Sequence, residues 1–537
     1  MTKVKTVVSL LVVLGMLVTS CGPAPTAAPT QVGQSTPVRT AVPTAAPTPE
    51  PTQAPQCLQI ALSIGSGETN SLDPFAIPTA EQAVMINQVY NRLMDLDNDF
   101  VLHPELAESW EPNSDATEWT FHLRQGVQFS DGRPFTARDV VWTYQRLIDP
   151  NNPSEAAATL SFLKPEGIIA VDDHTVVFKT DEPVTELPVL ITTKNTWIVP
   201  YGSTQEELRL HGVGTGPFIP VDFQPVQQPH HFVKNPNYWE PGLPKSDCLD
   251  FYVIQEATTR VAAIQSGQVD IVEYVDFSTI ATLQADPNIK ILKTSGASTS
   301  LTFAMWVDTP PFDDIRVRQA LKKLVDRQMM VDTVFLGYAM VADDNPIPPN
   351  SPYAWRSTVP PRDLEGAKAL LAEAGYGPSN PLRLDLYTAD FMPGVVAAAQ
   401  LFKEQAAEAG VEVNVIVGPP ADHWSNVWLK QPFVNSGWDP RPPGTALAIC
   451  YRSDALYPET HWYRPDYDAI LDKANTTVDP AARAELYKQA ARMLTEEGGE
   501  LIPVFTLGVA AMRSNCQGYE RHIATSRFDL RYAFCNR

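Results

Sequence analysis

Proline is distributed unevenly along this chain, and that unevenness separates what can fold from what cannot. Residues 22–56 hold nine prolines among Thr, Ala and Gln, with Arg39 and Glu50 the only charged residues. Such a stretch has too little apolar surface to offset the entropy of ordering. It is expected to be an extended, polyproline-like spacer of at most about 3.1 Å per residue, on the order of 100 Å in all. From Cys57 onward the pattern changes to short apolar runs and amphipathic stretches. With 537 residues in total, the remaining chain is too long for one ordinary core and is expected to form more than one unit.

Before the spacer stands MTKVKTVVSLLVVLGMLVTSCG. Lys3 and Lys5 precede an apolar run from Val7 to Val18. Twelve residues are short for a membrane span, which needs about 20, and suit a signal-peptide core. The run ends in Val18-Thr19-Ser20-Cys21, which resembles a bacterial lipobox. Residues 1–20 are therefore expected to be a signal peptide. Residues 21–56 are expected to be a linker anchored by lipid on Cys21. The protein is expected to be exported, in the periplasm or on the outer face of the cytoplasmic membrane.

Lys and Arg number 40 against 62 Asp and Glu, a net charge of −22. That excludes the cationic surface a nucleic-acid partner requires. The cysteines are Cys21, Cys57, Cys248, Cys450, Cys516 and Cys535, without a CxxC, so zinc ribbons and thioredoxin-like centres find no support. In an oxidising compartment the five beyond Cys21 leave one unpaired. We expect Cys57–Cys248 and Cys516–Cys535 with Cys450 free, although spacing alone does not decide the connectivity. No GxSxG, HExxH, P-loop or GxGxxG occurs, and neither cofactor nor metal is expected. Asp95, Asp97 and Asp99 imitate the start of a calcium loop but lack its Gly and closing Glu, and a hairpin turn is expected. His230 and His231 are expected to be exposed.

The body reads as alternating strands and helices. Trp119, Phe121 and Leu123 alternate with Thr120, His122 and Arg124, the period of a half-buried strand. Thr136 and Asp139 form a near capping box ahead of a helix carrying Val140, Val141, Tyr144 and Leu147. AEQAVMINQVYNRLMDL has helical spacing. LRLDLYTA, VVAAAQLFKEQAAEAG and VEVNVIVG form a strand–helix–strand unit.

Several longer motifs occur in one order: PELAESWE, then TFHLRQGVQFSDGRPFTARDV, GTGPF at 214–218, NPNYW at 235–239, RVAAIQSGQVD at 260–270, PPFDDIRVRQAL at 310–321 and PVFTLG at 503–508. Together they resemble the extracellular solute-binding proteins of the peptide/nickel type, family 5, which serve ABC importers. The resemblance covers about residues 57 to 515. It implies an α/β, two-lobed fold of the periplasmic-binding-protein kind (large, type II, peptide-binder subclass) with a hinge. One lobe is expected at 57–300 plus 500–537, the other at 301–499. It further implies a monomeric, non-enzymatic binder that closes on a peptide or related small solute and docks on membrane permease subunits. A sensory receptor with the same fold is the alternative.

Ligand contacts are expected from aromatics in loops: Trp306, Trp355, Trp424, Trp438, Tyr451 and Phe75. SGWDPRPPGT at 436–445 resembles the family's ligand loop and is expected to be irregular throughout, being rich in Pro and Gly. Peptide-binding relatives place an Asp three residues after its Trp to take the peptide's ammonium. Here that position is Arg441, a group suited to a carboxylate or phosphate. The loop is nearer to a Trp-x-x-Arg branch, so an anionic small molecule or metal–chelate is the alternative ligand. Asp439 completes the expected set.

Overall fold

The computed structural model describes residues 56–63, 71–75, 83–99, 101–152, 154–192, 195–356, 358–524 and 527–537. The signal peptide, Cys21 and the spacer lie outside the described residues. Among the described residues no helix is long and apolar enough to cross a membrane.

Two large sheets organise the body from Pro55 to Arg537, which forms one compact unit. The first has seven strands, in the order Ile289–Lys293, Val509–Arg513, Ile271–Val272, Cys57–Leu62, Cys248–Val253, His230–Lys234, Phe218–Pro220. The second has six: Ala339–Val341, Glu500–Thr506, Ser300–Met305, Phe433–Trp438, Leu382–Ala389, Val411–Gly418. Each has its own apolar core. Glu500–Thr506 and Ser300–Met305 are buried at every position, as central strands covered on both faces must be.

A third, four-stranded antiparallel sheet was not anticipated from the sequence. It comprises Ala107–Pro112, Glu118–Leu123, Thr175–Lys179 and Ile168–Asp172, packed over a separate core that includes Phe121, Phe178 and Tyr144. Its second strand shows the expected alternation, with Trp119, Phe121 and Leu123 turned inward. Thr136 and Asp139 form the capping box of helix Ala137–Leu147. The strand–helix–strand unit is Leu382–Ala389, Val395–Ala407 and Val411–Gly418, with its strands parallel.

Two cysteine pairs sit at aligned strand positions. Cys57 faces Cys248 across parallel strands, and Cys516 faces Cys535 across an antiparallel pair; both pairs are bonded. Cys450 is buried and unbonded. The acidic run at 95–99 forms a hairpin, where the Asp97 carboxylate accepts the backbone N–H groups of Asp99 and Val101.

Three local expectations change. The helix read through residue 96 ends at Val89, and the chain forms a strand at Met94–Leu96. The Val89 carbonyl accepts the Gly216 N–H, and the Arg92 N–H goes to Glu105, so tertiary partners take the bonds another turn would need. His230 is only 2% exposed and lies over Phe223, while His231 on the opposite face pairs with Asp250. Finally, SGWDPRPPGT is irregular only at 439–442. Ser436 to Trp438 finish a central strand, and Pro443 starts helix Pro443–Ala448 at the position where its missing N–H costs nothing.

The chain crosses between the two large sheets twice, at 294–299 and 507–508. The crossings bond to each other: Thr294 N–H to Gly508 O at 3.0 Å, Ser298 N–H to Thr506 O and Thr506 N–H to Thr299 O, each at 2.8 Å.

A Cβ at Gly216 would lie 2.4 Å from the Val89 carbonyl carbon and 2.6 Å from the Gln88 oxygen, so backbone would have to move. Gly216→Ala is expected to cost about 1–3 kcal/mol or more of stability. Gly377→Ala, where nothing lies within 4 Å, is expected to change it by about 0.5 kcal/mol at most. Denaturant unfolding of the two variants checks the contrast, and equal midpoints would refute the packing argument.

Candidate functional site

Trp438 ends its strand directly opposite Ser300, the first strand residue after the first crossing. The next residue, Asp439, accepts a hydrogen bond from the Thr299 hydroxyl at 3.2 Å, so its carboxylate turns towards the crossing. Arg441 donates from Nη1 to the Asp439 carbonyl at 3.0 Å, and its guanidinium carbon stands 5.0 Å over the Trp438 ring. Residues 438–441 therefore present an indole, an acid and a cation where the two sheets meet.

These groups border a cavity of about 30 Å³, with Ser298, Ser300, Pro346, Tyr451 and Phe505 among its other walls. That is room for water and little more. Of the expected ligand residues, the structure brings Trp438, Asp439, Arg441 and Tyr451 together here. Tyr451 is 2% exposed and serves as much in the core as in the wall. The other four lie elsewhere. Trp306 stacks on His461 at 4.2 Å. Trp355 lies beneath Arg356 and Arg492. Phe75 lies beneath Arg146. Trp424 is exposed and reaches Trp438 only through Trp428, at 5.4 Å and then 5.8 Å between ring centres.

Behind Trp438 is a group that no sequence pattern singles out. The Glu459 carboxylate accepts both indole N–H groups, from Trp438 at 2.7 Å and from Trp428 at 2.8 Å, and is 1% exposed. Glu500 is fully buried beside it, with Lys322 the nearby countercharge. Burial above all, and then the neighbouring Glu459 charge, push the Glu500 carboxyl well above its ordinary value. Burial likewise pushes up the Cys450 thiol, with Glu459 adding to it. No spacing rule links residues 428, 438, 459 and 500, which only the fold brings together.

A second contact ties the small sheet to this region. Helix Leu187–Leu190 begins at Glu186, whose carboxylate stands against bare Gly444: a Cβ there would lie 2.5 Å from Glu186 Oε2 and 2.8 Å from the Tyr487 hydroxyl. Arg483 Nε is 3.9 Å from Glu186 Oε1. Next to it Thr185 donates through its hydroxyl to the Asn475 carbonyl at 3.1 Å. Burial raises the Glu186 carboxyl too.

A larger cavity, about 860 Å³, lies among the 94–104 hairpin, Trp239 and the C-terminal tail. Its charges answer one another: Arg531 bonds Asp529 and Glu240, Arg124 bonds Glu108, and Arg527 pairs with Asp95.

Because the folded protein favours protonated Glu500, that group's contribution is complete below the ordinary carboxylate value of 4.5 and is lost as pH rises towards the raised value. Glu500→Gln is expected to remove a slope approaching about 1.4 kcal/mol per pH unit. Thermal unfolding of both proteins from pH 5 to 8 measures it. Parallel profiles would show that Glu500 is not held protonated.

Comparison with known proteins agrees with this architecture. The family model described as "Bacterial extracellular solute-binding proteins, family 5 Middle" matches residues 101–454. Heme-binding protein A of Haemophilus influenzae is 30% identical over 472 residues, covering 80% of this chain and 84% of that protein. Glutathione-binding protein GsiB of Escherichia coli K12 is 28% identical over 485 residues, covering 86% and 91%. The crystal structure of a nickel ABC transporter from Bacillus halodurans superposes with a TM-score of 0.72 at 27% identity, over 88% of this chain and 98% of that one. The protein is a binding protein, not an enzyme, and belongs to the bacterial extracellular solute-binding proteins of family 5.

Proposed function

We propose that this chain is the solute-capturing subunit of an ABC importer. In this proposal it is held at the membrane by a lipid on Cys21, with residues 22–56 as the tether. Two lobes, 57–300 with 500–537 and 301–499, open and close about the paired crossings, a hinge motion in which a few residues absorb the change. The closed form delivers the solute to the permease.

The observation that carries this proposal is the placement of Asp439 and Arg441, not ion-paired with each other, beside Trp438 at the crossings. An acid and a guanidinium against an aromatic wall suit a small solute with both ammonium and carboxylate groups, as a peptide has. The heme and glutathione in the names of the two relatives also carry carboxylates. Arg441 supports the second reading, an anionic molecule or metal–chelate.

Native mass spectrometry of protein purified without unfolding should find a bound solute below about 1 kDa that carries at least one carboxylate or phosphate, within the size range such sites enclose. Arg441→Ala should weaken that solute by about 1.5–3 kcal/mol, and isothermal titration measures the loss. An unchanged affinity would assign Arg441 to the loop's own structure. For the tether, Cys21→Ser should abolish incorporation of labelled palmitate and release the protein from membranes. Continued labelling would refute anchoring at Cys21.

A further inference from the structure

The proposed site depends on where Arg441 points, yet among the described residues no carboxylate within ion-pair distance holds its guanidinium. What orients it is one backbone hydrogen bond and the face of Trp438. The orientation of Trp438 is in turn set from behind. Its indole N–H donates to Glu459 Oε1, and the other oxygen of the same carboxylate receives the indole of Trp428. The two indoles meet at 61°, and Tyr457 fills the corner with ring centres 5.2 and 5.7 Å away. Trp438 is thus pinned at its nitrogen and braced on its edge, leaving one face for the guanidinium.

We infer that Glu459 is the positioning residue of the ligand cation: through the Trp438 indole it fixes Arg441 in the orientation that meets an anionic group of the solute. The inference rests on the reading of 438–441 as the solute site. Two physical effects support it. An indole that donates its N–H to a carboxylate is polarised towards a more electron-rich ring, as hydrogen-bonded groups in series polarise one another. An electron-rich indole face holds a guanidinium more firmly. Moreover, burial and the neighbouring Glu459 push the adjacent Glu500 carboxyl well above its ordinary value, which favours its neutral form beside Glu459. Glu459 lies behind the ring, on the two indole N–H groups, so it acts on Arg441 through Trp438 and not by direct pairing.

The chain can be tested without any solute. In protein labelled with 5-fluorotryptophan, all 11 Trp contribute ¹⁹F signals. Trp428→Phe and Trp438→Phe assign two of them. Glu459→Gln should shift both of those signals, because an amide offers one acceptor oxygen where the carboxylate offers two. Modification of Arg441 by phenylglyoxal, followed by peptide mass spectrometry, should become roughly two- to fivefold faster in Glu459→Gln, the factor carried by a cation–π contact of ordinary strength. Trp428→Phe should leave the Arg441 rate unchanged, since Trp438 keeps its bond. If Glu459→Gln does not fold, Trp438→Phe gives the same readout, with Arg441 again expected to react faster.

An Arg441 rate that is the same in wild type, Glu459→Gln and Trp438→Phe would overturn the inference. So would a Glu459→Gln spectrum in which the Trp438 signal does not move. Neither result depends on solute capture. Failure to recover any anionic solute from the native protein would count against the functional reading and would leave these two measurements standing.

Discussion

The two crossings run side by side and hydrogen-bond to each other, and the site is built outward from that junction. Thr294 with Gly508, and Ser298 and Thr299 with Thr506, join the segments where each leaves one sheet for the other. Ser300 then sets the register of Trp438, and Thr299 captures Asp439. The second crossing emerges from the strand that carries Glu500. The wall, the acid and the buried carboxyl pair are therefore referenced to one backbone junction. A change in its geometry would reach all three together.

Electrostatically the region is built in layers. Asp439 and Arg441 face the cavity, the indoles form a middle layer, and Glu459 with Glu500 lies behind. Burial and the neighbouring Glu459 charge both push the Glu500 carboxyl well above its ordinary value, which disfavours two charged carboxylates side by side. The chain is strongly acidic overall, and at this point two of its acids, Glu459 and Glu500, are buried behind the indoles.

Much of the frame was legible because period and caps are local properties. The 118–123 strand, the Thr136 cap and the 382–418 strand–helix–strand unit follow from side-chain alternation and short-range hydrogen bonding. Trp438, Asp439 and Arg441 could be singled out because an aromatic and two charges stand among prolines. What escaped was set by distant partners. The helix stops at Val89 because Gly216 claims its carbonyl, a fact written about 130 residues away. Glu459 looks like any surface acid until two indoles are folded onto it. Trp355 and Trp306 look like loop aromatics of the same kind as Trp438, but stacking on Arg356 and His461 takes them elsewhere. Pro443 departs from the expected loop for a simpler reason: in the first turn of a helix proline is an asset.

The small cavity beside Trp438 also has a consequence for timing. At about 30 Å³ it is far too small to hold a peptide-sized body. Under the proposed function, loading and unloading would wait on separation of the halves, including withdrawal of Glu186 from the hollow at Gly444. Residence time then reports how often the clamp opens as well as how many contacts the cargo makes. Two cargoes of unequal affinity would differ mainly in how far each holds the clamp shut, and contact with the permease could hasten unloading by spreading the halves without touching the cargo.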